Sequence, residues 1–431
     1  MRVCVVGLWH QGTVTAACLA AIGHEVVGLD FDVERIAALR AGRSPVLEPG
    51  LDALIASGAA EGQLRFTTDA GQAVAGAAVV WVAYDTPVDD KDRADVEFVV
   101  ERATRLFPHL EAAPIVLVSS QVPVGTTRRL EEMYRQAYPG GQARFAYSPE
   151  NLRLGKAVDV FQHPDRIVVG VRSADDRQDL ARLFHPWTDR IAWMGVESAE
   201  MAKHALNAFL ATSVTFANEV ASLCEHVGAD AKDVERALKS DIRIGHKAYV
   251  APGSAFAGGT LARDVVFLGD LGRRVGQPTP VLSGVRESNE HHKRWVHRHL
   301  EAEGALRRRR IGVWGLTYKP GTDTLRRSLS VELCLWLSEQ GAVVRAHDPA
   351  VRTLPAELAG VFELASDPLA AAADADVLVV STEWPEYRQV LSADVIAVMR
   401  APFVLDPNRF LAGTLGSDPR VRYRSVGQAA S

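Results

Sequence analysis

The chain has 431 residues, 48 basic groups against 53 acidic ones for a net charge of −5, and 47% hydrophobic residues. The apolar fraction argues against disorder, and the near-balanced charge gives no electrostatic drive toward nucleic acid or an anionic membrane. Four scattered cysteines (Cys4, Cys18, Cys224, Cys334), with no CxxC and no metal-type Cys/His spacing, argue against a disulfide framework and a metal site and fit a reducing cytoplasm.

The first segment, Arg2–Val6, is a short Val-rich run ending at Gly7. It reads as a parallel strand buried on both faces rather than a signal peptide. Thr13–Ile22 is Ala-rich and helical, with Gly23 as its cap. Glu25–Leu29 is a second strand ending at Asp30, which completes a βαβ unit. The strand pattern recurs at Ala78–Ala83 and Ile115–Ser119, so a doubly wound parallel sheet is predicted.

Near residue 197 the texture turns helical: Glu200–Val227, then a Gly-rich loop at Gly253–Gly259, then Asp264–Val275 and Val281–Leu300. Strand-type runs return at Arg310–Gly315, Ala342–Ala346, Val377–Ser381 and Phe403–Asp406, with a helix over Ser328–Gln340. The prediction is an α/β chain with two Rossmann-like doubly wound domains, 1–195 and 301–431, joined by a central helical region, 196–300. The basic run Arg307–Arg310 reads as a solvated linker, because no aromatic interleaving supports nucleic-acid binding. No apolar run reaches the ~18 residues of a membrane span. A soluble, cytoplasmic protein is expected.

A dinucleotide fingerprint needs three glycines after the first strand. Here the run is Gly7-Leu8-Trp9-His10-Gln11-Gly12, with Trp9 at the second position. The turn reads as a modified NAD site or as a Rossmann fold that has lost tight NAD binding. Asp30 favours the first, since a carboxylate there accepts from both ribose hydroxyls and repels a 2′-phosphate.

Further segments carry a family resemblance. They are Ser148-Pro149-Glu150-Asn151-Leu152-Arg153, His163-Pro164-Asp165-Arg166-Ile167, Glu200 through Lys203 followed by Asn207 to Ala211, Gly253 through Asp264, and Gly315 through Asp323. Pro45–Leu51, Val122 to Thr126 and Thr382-Glu383-Trp384 add to them. As an ordered set, these resemble the nucleotide-sugar 6-dehydrogenases, the family of UDP-glucose, GDP-mannose and UDP-N-acetylmannosamine dehydrogenases. The resemblance implies an N-terminal NAD domain, a central dimerisation region and a C-terminal nucleotide-sugar domain. It implies two NAD-dependent oxidations of a sugar CH2OH, a UDP-hexose as substrate and a homodimer.

Lys203 falls on the family's catalytic lysine, an oxyanion stabiliser. Taken alone it reads as a solvated helix lysine. Asn207 lies one turn on, and Glu150 and Asp264 fall on the carboxylates that position substrate and water. Arg35, and Gln121 in place of a threonine before Val-Pro-Val-Gly, join Gly7, Trp9, Gly12 and Asp30 in the cofactor set. Leu152, Arg153, Arg243, Tyr249, Gly253, Phe256, Gly259, Lys319 and Arg326 fall on substrate contacts. In the loop, a one-residue gap puts the nucleophilic cysteine at either Thr260 or Leu261, and counting back from Asp264 matches Thr260, with Arg263 at a lysine; elsewhere, Leu154 replaces a glutamate. The covalent second oxidation is therefore in doubt, and the alternatives are release of the aldehyde, C5 epimerisation through it, or a nucleotide-sugar-binding regulatory protein.

Overall fold

Short, mostly apolar runs form the strands of two sheets in the computed structural model, which describes residues 1–89, 93–150, 152–257 and 259–429. The first sheet contains β1 (Arg2–Val6), β2 (Glu25–Leu29), β3 (Leu64–Thr67), β4 (Val79–Val82), β5 (Ile115–Val118), β6 (Arg144–Tyr147), β7 (Ile167–Val171) and β8 (Ile191–Gly195). The second contains β9 (Arg310–Trp314), β10 (Val343–His347), β11 (Glu363–Leu364), β12 (Val377–Val380), β13 (Phe403–Leu405) and β14 (Arg422–Arg424). Their orders, 3-2-1-4-5-6-7-8 and 11-10-9-12-13-14, share one doubly wound pattern.

Alternation along β1 divides the core of the first sheet. Val3 and Val5 pack on one face with Leu8, Val14 and Phe184, and Cys4 and Val6 on the other with Leu29, Val99 and Val118. A parallel sheet covered on both faces needs this continuous apolar run. In the second sheet, Ile311 and Val313 pack with Ala221 and Cys224 of the long helix, while Trp314 faces Tyr387 and Leu411 on the opposite side.

The chain divides into two compact units, Met1–Leu206 and Asn207–Ser431, and the helical stretch after 207 shares the second unit with the second sheet. The long helix, Val196–Val227, starts directly after β8, four residues earlier than predicted. The predicted helix over Val281–Leu300 is two helices, Pro280–Lys293 and Trp295–Ala302. The break at Arg294 accompanies burial of Trp295 in the second unit's core, where its indole donates to Glu225 at 2.9 Å. The first sheet is not wholly parallel. β6 and β7 run antiparallel, because the chain re-enters at the same sheet end after the Pro-Glu segment and needs no full crossover.

Candidate active site

In the first unit, the turn after β1 admits only glycine at two places. Gly7 holds φ +90°, and a Cβ there would lie 2.6 Å from Tyr84 Cδ1; a Cβ at Gly12 would run into the Gly7 carbonyl oxygen. The first helix, His10–Ala21, starts at Trp9 without a side-chain cap. Its first N–H groups can therefore receive a diphosphate. At the end of β2, Asp30 Oδ2 accepts from Leu8 N at 2.7 Å and from Arg35 Nη1 at 2.9 Å, and Oδ1 accepts from Asp32 N at 3.0 Å. Trp9 is 43% exposed, and its ring lies 5.2 Å from the Arg35 guanidinium carbon. Gln121 is buried just beyond β5, where its backbone carbonyl accepts from Thr86 Oγ1 at 2.8 Å. The close-packed glycines, the uncapped helix start and Asp30 fit a dinucleotide. Gly7 and Gly12 let the strand, turn and helix pack tightly, the helix start would take the diphosphate, and Asp30 would meet the adenosine ribose.

Lys203 is not the solvated helix lysine that an isolated reading suggests. Its side chain is 5% exposed, its Nζ donates to the Glu150 carbonyl at 2.5 Å, and the Glu150 carboxylate lies 3.7 Å away. That carboxylate also accepts from Leu152 N at 2.6 Å. Two neighbours on the long helix fix this arrangement, and sequence reasoning gave neither a role. Glu200 is fully buried and accepts from Gly125 N at 2.6 Å and Thr127 N at 2.9 Å, and burial raises its pKa. His204 donates to the Val122 carbonyl at 2.9 Å. Together they tie the helix that carries Lys203 to the loop that follows Gln121. The signal was spacing: Glu200, Lys203, His204 and Asn207 recur at one helical face. A cavity of about 290 Å3 in this unit is lined by Gln11, Glu150, Leu152, Arg153, Phe161 and Trp187.

In the second unit, Gly259 at φ +108° precedes Thr260, the first residue of the helix Thr260–Arg274. Thr260 is exposed, whereas Asp264, one turn on, is fully buried and accepts from Asn207 Nδ2. Asn151 and Gly258, inside two of the quoted motifs, lie outside the described residues. A cavity of about 410 Å3 is lined by Tyr249, Phe256, Lys319, Glu383 and Asn408 among others. Gly253 beside it donates its N–H to Asn218 Oδ1 at 3.0 Å, and its carbonyl accepts from His292 Nε2 at 2.8 Å. Burial lowers the His292 pKa to about 4, so a neutral imidazole makes this bond at pH 7. Sequence reasoning missed His292, Asn408 and the placement of Glu383. The last two follow the ends of β13 and β12, where ligands of doubly wound sheets bind. Arg243 and Arg326 do not line this cavity; Arg243 pairs with Asp241 at 2.6 Å, and Arg326 is exposed.

All four cysteines are buried and reduced. Burial pushes the Cys4 and Cys18 thiols up to about 12 and raises Cys334 as well. None of these three offers a thiolate at pH 7. Among the described residues, no group of three or more His, Cys, Asp or Glu is placed to hold a metal, and no helix is long and apolar enough to cross a membrane.

A glycine turn at the first strand, an acidic residue closing the second and a buried lysine beside a carboxylate define a dinucleotide-dependent oxidoreductase. Three sequence profiles cover most of the chain. The UDP-glucose/GDP-mannose dehydrogenase family's NAD binding domain matches residues 1–188, its central domain 197–291 and its UDP binding domain 312–413. The chain belongs to the UDP-glucose/GDP-mannose dehydrogenase family. It is 36% identical to a UDP-glucose 6-dehydrogenase of Pseudomonas aeruginosa, with 99% of this chain and 98% of the relative covered. It is 35% identical to one of Rhizobium meliloti, with 99% and 100% covered. The solved structure of a UDP-glucose dehydrogenase from Pyrobaculum islandicum superposes with a TM-score of 0.90 at 32% identity, covering 99% of this chain and 98% of that one. The chain is thus a nucleotide-sugar dehydrogenase, and its cofactor is NAD.

Proposed function

We propose that this enzyme oxidises the C6 hydroxymethyl group of a UDP-hexose such as UDP-glucose, with the first oxidation outrunning the second. The observation that carries the substrate is near full-length similarity to proteins named UDP-glucose 6-dehydrogenase. Bound NAD supplies the hydride acceptor. The Lys203 ammonium stabilises the C6 oxygen as negative charge develops there. Glu150 positions the sugar together with Leu152 and Arg153. Asp264, held by Asn207, orients the water that takes the hydroxyl proton. Gly253, Phe256, Gly259 and Tyr249 contact the nucleotide sugar and Lys319 its diphosphate, while Arg243 and Arg326, which do not line the cavity, are given no contact. Thr260 replaces the thiol and forms no covalent bond. The test is NADH formation over UDP-glucose, GDP-mannose and UDP-N-acetylmannosamine. UDP-glucose should give the highest kcat/KM, and NADH from none of the three refutes the reading.

We assign residues 1–195 to NAD, 196–300 to dimerisation and 301–431 to the nucleotide sugar, in a cytoplasmic homodimer. On the long helix, Phe209, Phe216 and Leu223 recur every seven residues and are 71%, 50% and 65% exposed. A seven-residue apolar seam is the pattern that pairs helices, and a second copy supplies the same seam. Replacing both Phe216 and Leu223 by glutamate should convert the dimer to monomer in analytical ultracentrifugation. A wild-type chain sedimenting as a monomer would sink the assignment.

A further inference from the structure

The cofactor turn contains an anion of its own. Asp85 stands three residues past the end of β4, the strand beside β1. Its Oδ2 lies 3.4 Å from the backbone nitrogen of Gln11, the second residue of the first helix, and accepts a hydrogen bond from it. That helix has no side-chain cap at Trp9 and no acidic residue in its own first turn. Asp85, reaching in from a different strand, supplies the carboxylate there.

The same helix start is where a dinucleotide diphosphate docks in this fold. A carboxylate and a diphosphate compete for one set of N–H donors, and their charges repel. The 3.4 Å contact is longer than a strong N–H···O bond, which lies at 2.7–3.2 Å. It is a hold that a diphosphate displaces. The Arg35 guanidinium is engaged by Asp30 at 2.9 Å and by Asp32 at 3.2 Å.

We infer that Asp85 is an affinity-setting residue: its carboxylate competes with the NAD diphosphate for the start of the first helix and weakens cofactor binding. This rests on the reading that the Gly7–Gly12 turn holds NAD. Asp85→Asn is the informative variant, because the asparagine oxygen still accepts from Gln11 N while the charge is gone. Asp85→Gly removes the competitor altogether, and the residue is exposed, so neither change disturbs the core.

The experiment is titration calorimetry on the full chain with NAD, ADP-ribose and adenosine. Both Asp85 variants should bind NAD and ADP-ribose roughly threefold to tenfold more tightly than wild type. Adenosine, which lacks the diphosphate, should bind unchanged. Asp30→Ala locates the site, with Arg35→Ala in its place should that chain fail to fold, and either should weaken NAD. Unchanged or weaker NAD binding by Asp85→Asn, alongside weakening by the locating variant, overturns the role of Asp85 alone. An equal gain for adenosine overturns it too, because the effect then does not act through the diphosphate. NAD binding indifferent to Asp30 and Arg35 places the cofactor elsewhere and overturns both readings.

Discussion

Lys203→Ala should lower kcat by about 10²- to 10³-fold, the usual loss when one preorganised oxyanion donor is removed. The geometry makes this a sharp expectation. The ammonium is held in a site with 5% side-chain exposure, against the Glu150 carbonyl at 2.5 Å and near its carboxylate at 3.7 Å. A charge kept dry and already oriented needs no reorganisation when the C6 oxygen becomes negative. Its effect belongs to the transition state, so KM for NAD should move by no more than about twofold while kcat collapses. Thr260→Ala is the contrast. Thr260 is exposed at the start of its helix and is assigned no bond-making role, so its loss should leave kcat within about threefold of wild type. Steady-state kinetics on both variants, with circular dichroism to confirm folding, decides the matter. A Lys203→Ala enzyme with more than a tenth of wild-type kcat would contradict the assignment. So would a folded Thr260→Ala enzyme without activity.

Where local chemistry determined structure, the sequence was readable. Arg2–Val6 and Glu25–Leu29 carry continuous apolar runs closed by Gly7 and Asp30, and both strands have the predicted bounds. The weaker strands gave less. β8, IAWMG, is only partly buried, and β11 and β14 are two and three residues long, so periodicity had little to act on. The antiparallel entry of β7 is a tertiary choice that no local pattern encodes. The site was legible where a motif fixed the register. Glu150, Lys203, Asn207 and Asp264 were named from ordered segments, and the Lys203–Glu150 and Asn207–Asp264 contacts exist within their respective units. Asp85, Glu200 and His204 were given no role, since each acts on backbone atoms distant in sequence. Asp85 meets Gln11 across 74 residues and Glu200 meets Gly125 across 75. Spacing along the long helix puts Glu200 and His204 on the face of Lys203, but nothing local marks the distant backbone groups that they and Asp85 bind.

The NADH yield should separate this enzyme from a chain that carries a thiol in the loop. A cysteine at Thr260 would trap the aldehyde as a thiohemiacetal, and a second hydride transfer would give a thioester for water to cleave. A threonine hydroxyl is far less acidic than a thiol of pKa about 8.5. The Cys4 and Cys18 thiols are held near 12 by burial, and neither belongs to the loop. The aldehyde is then held only by non-covalent contacts, and it either leaves or hydrates before a second oxidation. Leu154, standing where the family places a carboxylate, removes one group that could assist that water. With UDP-glucose and excess NAD, the early yield should be close to one NADH per sugar, with an aldehyde that hydroxylamine captures. Thr260→Cys should raise the yield toward two and abolish the captured aldehyde. Asp264 is already buried one helical turn away and bonded to Asn207, so the residue proposed to orient the cleaving water is in place for the new thioester. A wild-type enzyme that promptly forms two NADH per sugar, with nothing for hydroxylamine to trap, would refute this ordering of the two steps. It would mean that the hydrated aldehyde, oriented by Asp264 and stabilised by Lys203, is oxidised without any covalent intermediate.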